Sequence, residues 1–130
     1  MNEDLRYPIG KYINQPFSQK LLEEWLTDIK NLPQHLENAI LNLDEAQLNT
    51  AYRDGGWTIK QVVHHVADSH MNAYIRFKCA LTENNPTIKP YDENLWTETA
   101  DNQLPLKNSV RLVKALHAKW TILLENMDKN

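Results

Sequence analysis

The 130-residue sequence contains one cysteine, Cys79, and only three glycines and two phenylalanines. A lone cysteine excludes an internal disulfide, the usual support of small secreted domains. With so few glycines there is no glycine-rich phosphate loop, and no Gly-x-Ser-x-Gly elbow is present. No apolar run approaches the roughly 18–20 residues that cross a bilayer. The opening MNEDLRYPIG has neither the basic start nor the apolar centre of a secretory signal. Positive charge is not in excess either: the formal net charge is -3 and the basic residues form no run, which argues against a nucleic-acid partner. The acidic residues are dispersed, without a paired-carboxylate signature. The expectation is a cytoplasmic protein that engages neither membrane nor nucleic acid.

What is present is ordinary globular composition, 42% hydrophobic and 24% charged, at the length of one domain spanning 1–130. Residues 1–17 carry Pro8, Gly10 and Pro16 and read as an extended arm. From Ser18 onward, Leu21, Trp25, Ile29, Leu32, Leu36, Ile40 and Leu43 recur at helical spacing. Pro33 interrupts the run, but the apolar phase is the same on both sides. One kinked helix, or two end to end, is expected. Asp44 and Gln47 have capping-box spacing for a short extra turn; Gly55-Gly56 marks a turn; Thr58 and Gln61 form a second capping box opening a helix to about Thr82. Residues 83–105, with Pro86, Pro90 and Pro105, read as a long ordered loop. A final helix follows through Val110, Val113, Leu116, Trp120, Leu124 and Met127. No segment reads as a strand. The sum is an all-α, antiparallel helical bundle to which this chain supplies about three long helices.

Three of the five histidines fall within Gln61-Val62-Val63-His64-His65-Val66-Ala67-Asp68-Ser69-His70. At about 100° per residue, His64 and Asp68 share the outward side as a solvated i,i+4 pair. His70 falls inside the apolar arc and reads as a core histidine bonded to a neighbouring helix. His65 lies at the arc's edge, on a polar stripe with Ser69, Asn72 and Arg76. Such a border is where an interhelical pocket can form, and imidazole is the commonest metal ligand. One histidine does not hold a metal. His117, between Leu116 and Trp120 on the apolar face of the last helix, points toward the same core. Cys79 reads as a quiet, half-buried thiol, and the four tryptophans as core or pocket lining.

Several strings together resemble the YfiT-like branch of the DinB superfamily: Leu5-Arg6-Tyr7-Pro8-Ile9-Gly10, Tyr52-Arg53-Asp54-Gly55-Gly56-Trp57-Thr58, Gln61 through Asn72, Tyr74-Ile75-Arg76-Phe77-Lys78, Pro86 through Asp92, and Leu116-His117 to Trp120. The likeness runs in order along essentially the whole chain. It implies an up-down four-helix bundle, usually a homodimer, holding a divalent metal with three histidines. It also implies metal-dependent hydrolase activity on a small-molecule substrate, or S-transfer with a low-molecular-weight thiol such as bacillithiol. The first ligand is the second histidine of the pair, here His65, with its other ring nitrogen fixed by a hydrogen bond. Zinc or nickel is the expected metal.

In the family the other two ligands form a His-x-x-x-His pair on the last helix, and no such pair precedes Asn130. The chain therefore reads as a C-terminally incomplete domain: alone, metal-poor, feebly active or inactive, and prone to associate. His117, Asn72, Arg76 and Tyr91 are the expected substrate contacts or supports of the ligand. A non-catalytic helical dimerisation or binding module is the alternative from a different class.

Overall fold

The computed structural model describes residues 4–127, so residues 1–3 of the expected arm lie outside the described residues. The remainder of the arm is turn and extended chain. Ser18 begins α1 (Gln19–Ile40) by accepting the Leu21 amide at 3.0 Å, and α1 runs unbroken through a buried Pro33. A reciprocal box between Asp44 and Gln47 opens α2 (Glu45–Leu48). Thr58 and Gln61 do the same for α3 (Ile59–Thr82). The last long helix, α5 (Leu106–Glu125), starts at Pro105 without a side-chain cap. The described residues contain no strand, only an isolated bridge between Ala51 and Thr58.

The expected loop over 83–105 is more structured than its composition implies. Asp92 accepts the Leu95 amide and starts α4 (Glu93–Thr97), and a 3-10 turn follows over Ala100–Gln103. Buried Thr97 and Asn102 donate to the carbonyls of Asn94 and Trp96, so the crossover carries its own polar scaffold. Hydrogen bonding internal to a loop leaves no hydrophobic period in the sequence.

Helix α5 sits between the other two long helices and packs on both, while α1 and α3 touch little. Val110, Val113, Leu116, His117, Trp120 and Thr121 of α5 are buried, against Val63, His64 and Ala67 of α3. Direction follows from the pairings. His64 meets Ser109, His70 meets His117 and Phe77 meets Trp120, so α3 and α5 run parallel. Glu37 meets Lys114 and Ile29 meets His117, so α1 runs antiparallel to α5. The antiparallel expectation thus holds for α1 but not between α3 and α5, because the long crossover returns the chain to the end at which α3 began.

Polar pins hold this core. His64 is 2% exposed and bridges two elements: its Nε2 donates to the Leu104 carbonyl at 3.0 Å, and its Nδ1 accepts from the Ser109 hydroxyl at 2.6 Å. It is therefore not a solvated partner of Asp68. The wheel misplaced it because the start of α5 and the end of the crossover flank α3 on that side. His70 does reach a neighbouring helix, with its Nδ1 2.6 Å from His117 Nε2. His117 is 1% exposed, and its Nδ1 lies 2.6 Å from the Ile29 carbonyl.

Burial depresses the pKa of His64, His70 and His117, with His70 lowered to about 4. The unfolded chain takes up protons on these imidazoles once the pH falls below about 6.5, and the folded one resists. The unfolded state therefore binds more protons between about pH 6.5 and 4, and stability falls as the pH is lowered through that window. Burial raises the Asp68 carboxyl, which opposes this in the acid part of the range as one group against several. Thermal melts at pH 7.5, 6 and 5 should show a progressively lower Tm, whereas a flat or rising Tm would contradict the buried neutral histidines. In urea titrations Leu116→Ala should lower the unfolding free energy by about 2–5 kcal/mol, the usual range for such a buried truncation.

Candidate active site around His65

The site is built from a tight turn, one stripe of α3 and the crossover that lies over it. Gly55 has φ +71, and a Cβ on Gly56 would come within 2.6 Å of Arg53 Cγ and 2.8 Å of Tyr52 Cε1. Only glycines let the chain reverse this tightly. The reversal, closed by Tyr52 N to Trp57 O at 3.1 Å, delivers Trp57 to the start of α3. There its ring packs on His65 with centroids 4.6 Å apart and planes inclined at 53°. The Trp57 Nε1 donates to Asn94 Oδ1 at 3.0 Å, which fastens α4 beside the same imidazole.

His65 is half-buried, and neither of its ring nitrogens has a hydrogen-bond partner among the described residues. Burial lowers its pKa, only partly offset by the Glu93 carboxylate, so the ring is neutral at physiological pH. The expected hydrogen bond fixing its second nitrogen is not made by a described residue, and the Trp57 face occupies one flank instead.

Further along the stripe, Asn72 Nδ2 donates to the Asp68 carbonyl at 2.8 Å. Arg76 Nη2 donates to the Lys89 carbonyl at 3.1 Å and ties the crossover down. Between these fastenings lies a hollow of about 490 Å³ lined by Asn72, Lys89, Pro90, Tyr91, Asp92 and Trp96. Tyr91 and Trp96 wall it with ring centroids 4.7 Å apart. The structure therefore brings Asn72 and Tyr91 to one hollow, with Arg76 holding its rim. It does not bring His117 there, because that side chain is enclosed with both nitrogens engaged. Sequence reasoning passed over Lys89 and the packing of Trp57 on His65, while Trp96 does line a pocket as expected of the tryptophans. The Asp92-x-x-Leu95 cap spacing, which turns Trp96 back toward Tyr91, was the available signal.

A cation centre of the expected kind needs about three protein donors. Among the described residues no group of three histidine, cysteine, aspartate or glutamate side chains has the geometry to hold a metal. His65 fits the role of one ligand, being neutral, reachable and otherwise unengaged. The donor set as described does not complete a site.

Comparison with known proteins converges on one family. The DinB superfamily profile matches residues 28–130. Proteins of Bacillus cereus strain AH820 and Bacillus anthracis strain A0248, both named "Putative metal-dependent hydrolase", are 52% identical to the chain over 126 residues, which is 96% of this chain and 73% of theirs. The solved structure of YfiT from Bacillus subtilis superposes with a TM-score of 0.92 at 44% identity, over 98% of this chain and 74% of that one. YfiT is described as a probable metal-dependent hydrolase with an unusual four-helix bundle topology. With the profile covering most of its length and the fold shared, this chain belongs to the DinB superfamily, as a YfiT-like member.

Proposed function

We propose that the chain acts as a metal-dependent hydrolase in which His65 is a metal ligand and the hollow at Asn72, Tyr91 and Trp96 receives a small-molecule substrate. One observation carries the reading. Of the four histidines on α3 and α5, His64 and His117 have both ring nitrogens engaged and His70 has one, whereas half-buried His65 has neither. Metals bind neutral imidazole, and burial keeps His65 in that form. The relatives' names point the same way. One imidazole does not hold a divalent cation, and the described residues do not by themselves supply the three donors of such a centre. Zinc and nickel both suit imidazole.

The chain's own residues have separable tasks in this reading. Trp57 fixes the plane of His65 and dries one side of it. Tyr91 and Trp96 give the substrate an apolar wall, and Asn72 and Lys89 give it polar contacts. Arg76 positions the wall without lining the hollow. A finer reading of the same residues is S-transfer, with a low-molecular-weight thiol such as bacillithiol as co-substrate.

Exposed apolar side chains favour a second reading. Ile122 is 61% exposed, Ile75 53% and Leu112 43%, as at the surface of a helical dimerisation or binding module. A homodimer is compatible with either function.

After loading with zinc or nickel and exhaustive desalting, elemental analysis should find metal retained by the protein and lost from His65→Ala. Equal retention in both counts against His65 as a ligand, whereas negligible metal in both fits a centre whose full donor set the described residues do not supply. Hydrolysis of p-nitrophenyl esters should then be independent of added thiol. Faster conjugation of bacillithiol or cysteine to chlorodinitrobenzene would mark the S-transfer reading instead. Sedimentation showing a dimer with neither activity would favour the binding module.

A further inference from the structure

The tip of the N-terminal arm is folded on itself. Tyr7 donates its amide to the Asp4 carbonyl and Gly10 donates to that of Tyr7, each at 2.9 Å, with Gly10 at φ +86. This tip borders a cavity of about 410 Å³ at the start of α3, lined by Arg6, Pro8, Tyr52, Trp57, Ile59 and Val62. Trp57 is a wall shared with the candidate active site, because the same ring packs on His65 at 4.6 Å. Val62 links the two as well. At 1.5 Å and 100° per residue it precedes His65 by about 4.5 Å along α3 and points only about 60° away from it. Asn72, which lines the crossover hollow, lies about 10 Å beyond His65 on the same stripe. His65 therefore stands between two cavities.

The two linings differ in their polar groups. In the arm cavity each side-chain polar group already has a partner. Asp4 holds Arg6 through Nε and Nη2, both at 2.9 Å. The Tyr52 hydroxyl accepts from Arg53 Nε at 2.9 Å, and Trp57 Nε1 donates to Asn94. Pro8, Ile59 and Val62 add only carbon. A polar ligand group placed there would shed water and gain no hydrogen bond in return. In the crossover hollow, by contrast, the Lys89 ammonium and the Tyr91 hydroxyl have no partner among the described residues.

We infer that the arm cavity is a second substrate subsite, which takes an uncharged apolar group, an aromatic ring or an alkyl chain. The substrate is then two-ended. Its apolar group sits beside the arm, its polar part extends toward Lys89 and Tyr91, and the bond to be hydrolysed lies between them beside His65. The inference rests on the hydrolase reading for its chemistry, whereas filling the cavity needs no metal. Its volume falls in the usual range for small-molecule sites. Each methylene group buried there should tighten binding about fourfold.

Phenylacetamide, a neutral aryl compound, is the probe, with phenylacetate as its anionic counterpart. In the metal-free protein carrying 13C-labelled isoleucine and valine methyl groups, phenylacetamide should shift Ile59 and Val62 saturably. Its ring protons should show nuclear Overhauser contacts to the Trp57 indole. Absence of saturable shifts at these residues overturns the subsite. Phenylacetate should bind at least tenfold more weakly; equal or tighter binding of the anion overturns the class, since Arg6 would then be recruiting charge. Val62→Phe fills the cavity from α3, and Pro8→Asp puts a carboxylate on its exposed arm side without touching a helix. Both should weaken phenylacetamide binding tenfold or more, and unchanged binding in either folded variant overturns the placement. Metal retention by His65 is measured separately, so either reading can fail while the other stands.

Discussion

Proline at position 33 removes one helical hydrogen bond from α1, and the carbonyl it frees is where α5 docks. A bare carbonyl buried without a donor costs about 1–3 kcal/mol, so a partner at that point is close to obligatory. His117 is that partner, and its second nitrogen passes the constraint to His70 on α3. Since α1 and α3 barely touch, this chain of two short hydrogen bonds joins helices that packing alone leaves apart. Charge could not do the same work. A protonated imidazole in this core would be unpaired, and burial accordingly holds both rings neutral.

Helix α3 is divided between structure and chemistry by its own geometry. Adjacent side chains diverge by about 100°, so His64 and His65 cannot face the same way. His64 is drawn into the seam between the crossover and α5, where Leu104 and Ser109 satisfy both nitrogens. His65 then emerges toward Trp57, Glu93 and the crossover. The crossover is held over this face by Arg76 at one end and Trp57 at the other, with the Tyr91–Trp96 hollow between them. The parallel course of α3 and α5 makes this arrangement possible. A tight connection would have reversed the chain and left no segment lying along the stripe.

Kinship with metal-dependent hydrolases and the donor set of the described residues bear on different parts of the problem. The fold, the aromatic hollow and the unengaged imidazole of His65 are in place, and the match to the relatives spans nearly the whole chain. A complete cation site is not assembled from the described residues. The polar pins and the exposed apolar residues of α3 and α5 mark a framework whose core rests chiefly on α5 and is small for its length.

The sequence alone determined the elements. Capping boxes at Asp44 and Thr58, the glycine pair at 55 and 56, and apolar spacing through Pro33 and along α5 are local signals, and local backbone chemistry answers them. The polar stripe carrying His65, Asn72 and Arg76 was legible for the same reason, since it depends only on helical period. Tertiary structure decided what no period encodes. His64 turned inward because two elements distant in sequence converge on it. The crossover acquired α4 and a 3-10 turn through bonds among its own side chains. Imidazoles of similar intrinsic chemistry became a clamp at His64, a relay at His117 and an unengaged ring at His65. A histidine's role is set by which nitrogens are already engaged, and that is fixed by partners 40 to 88 residues away.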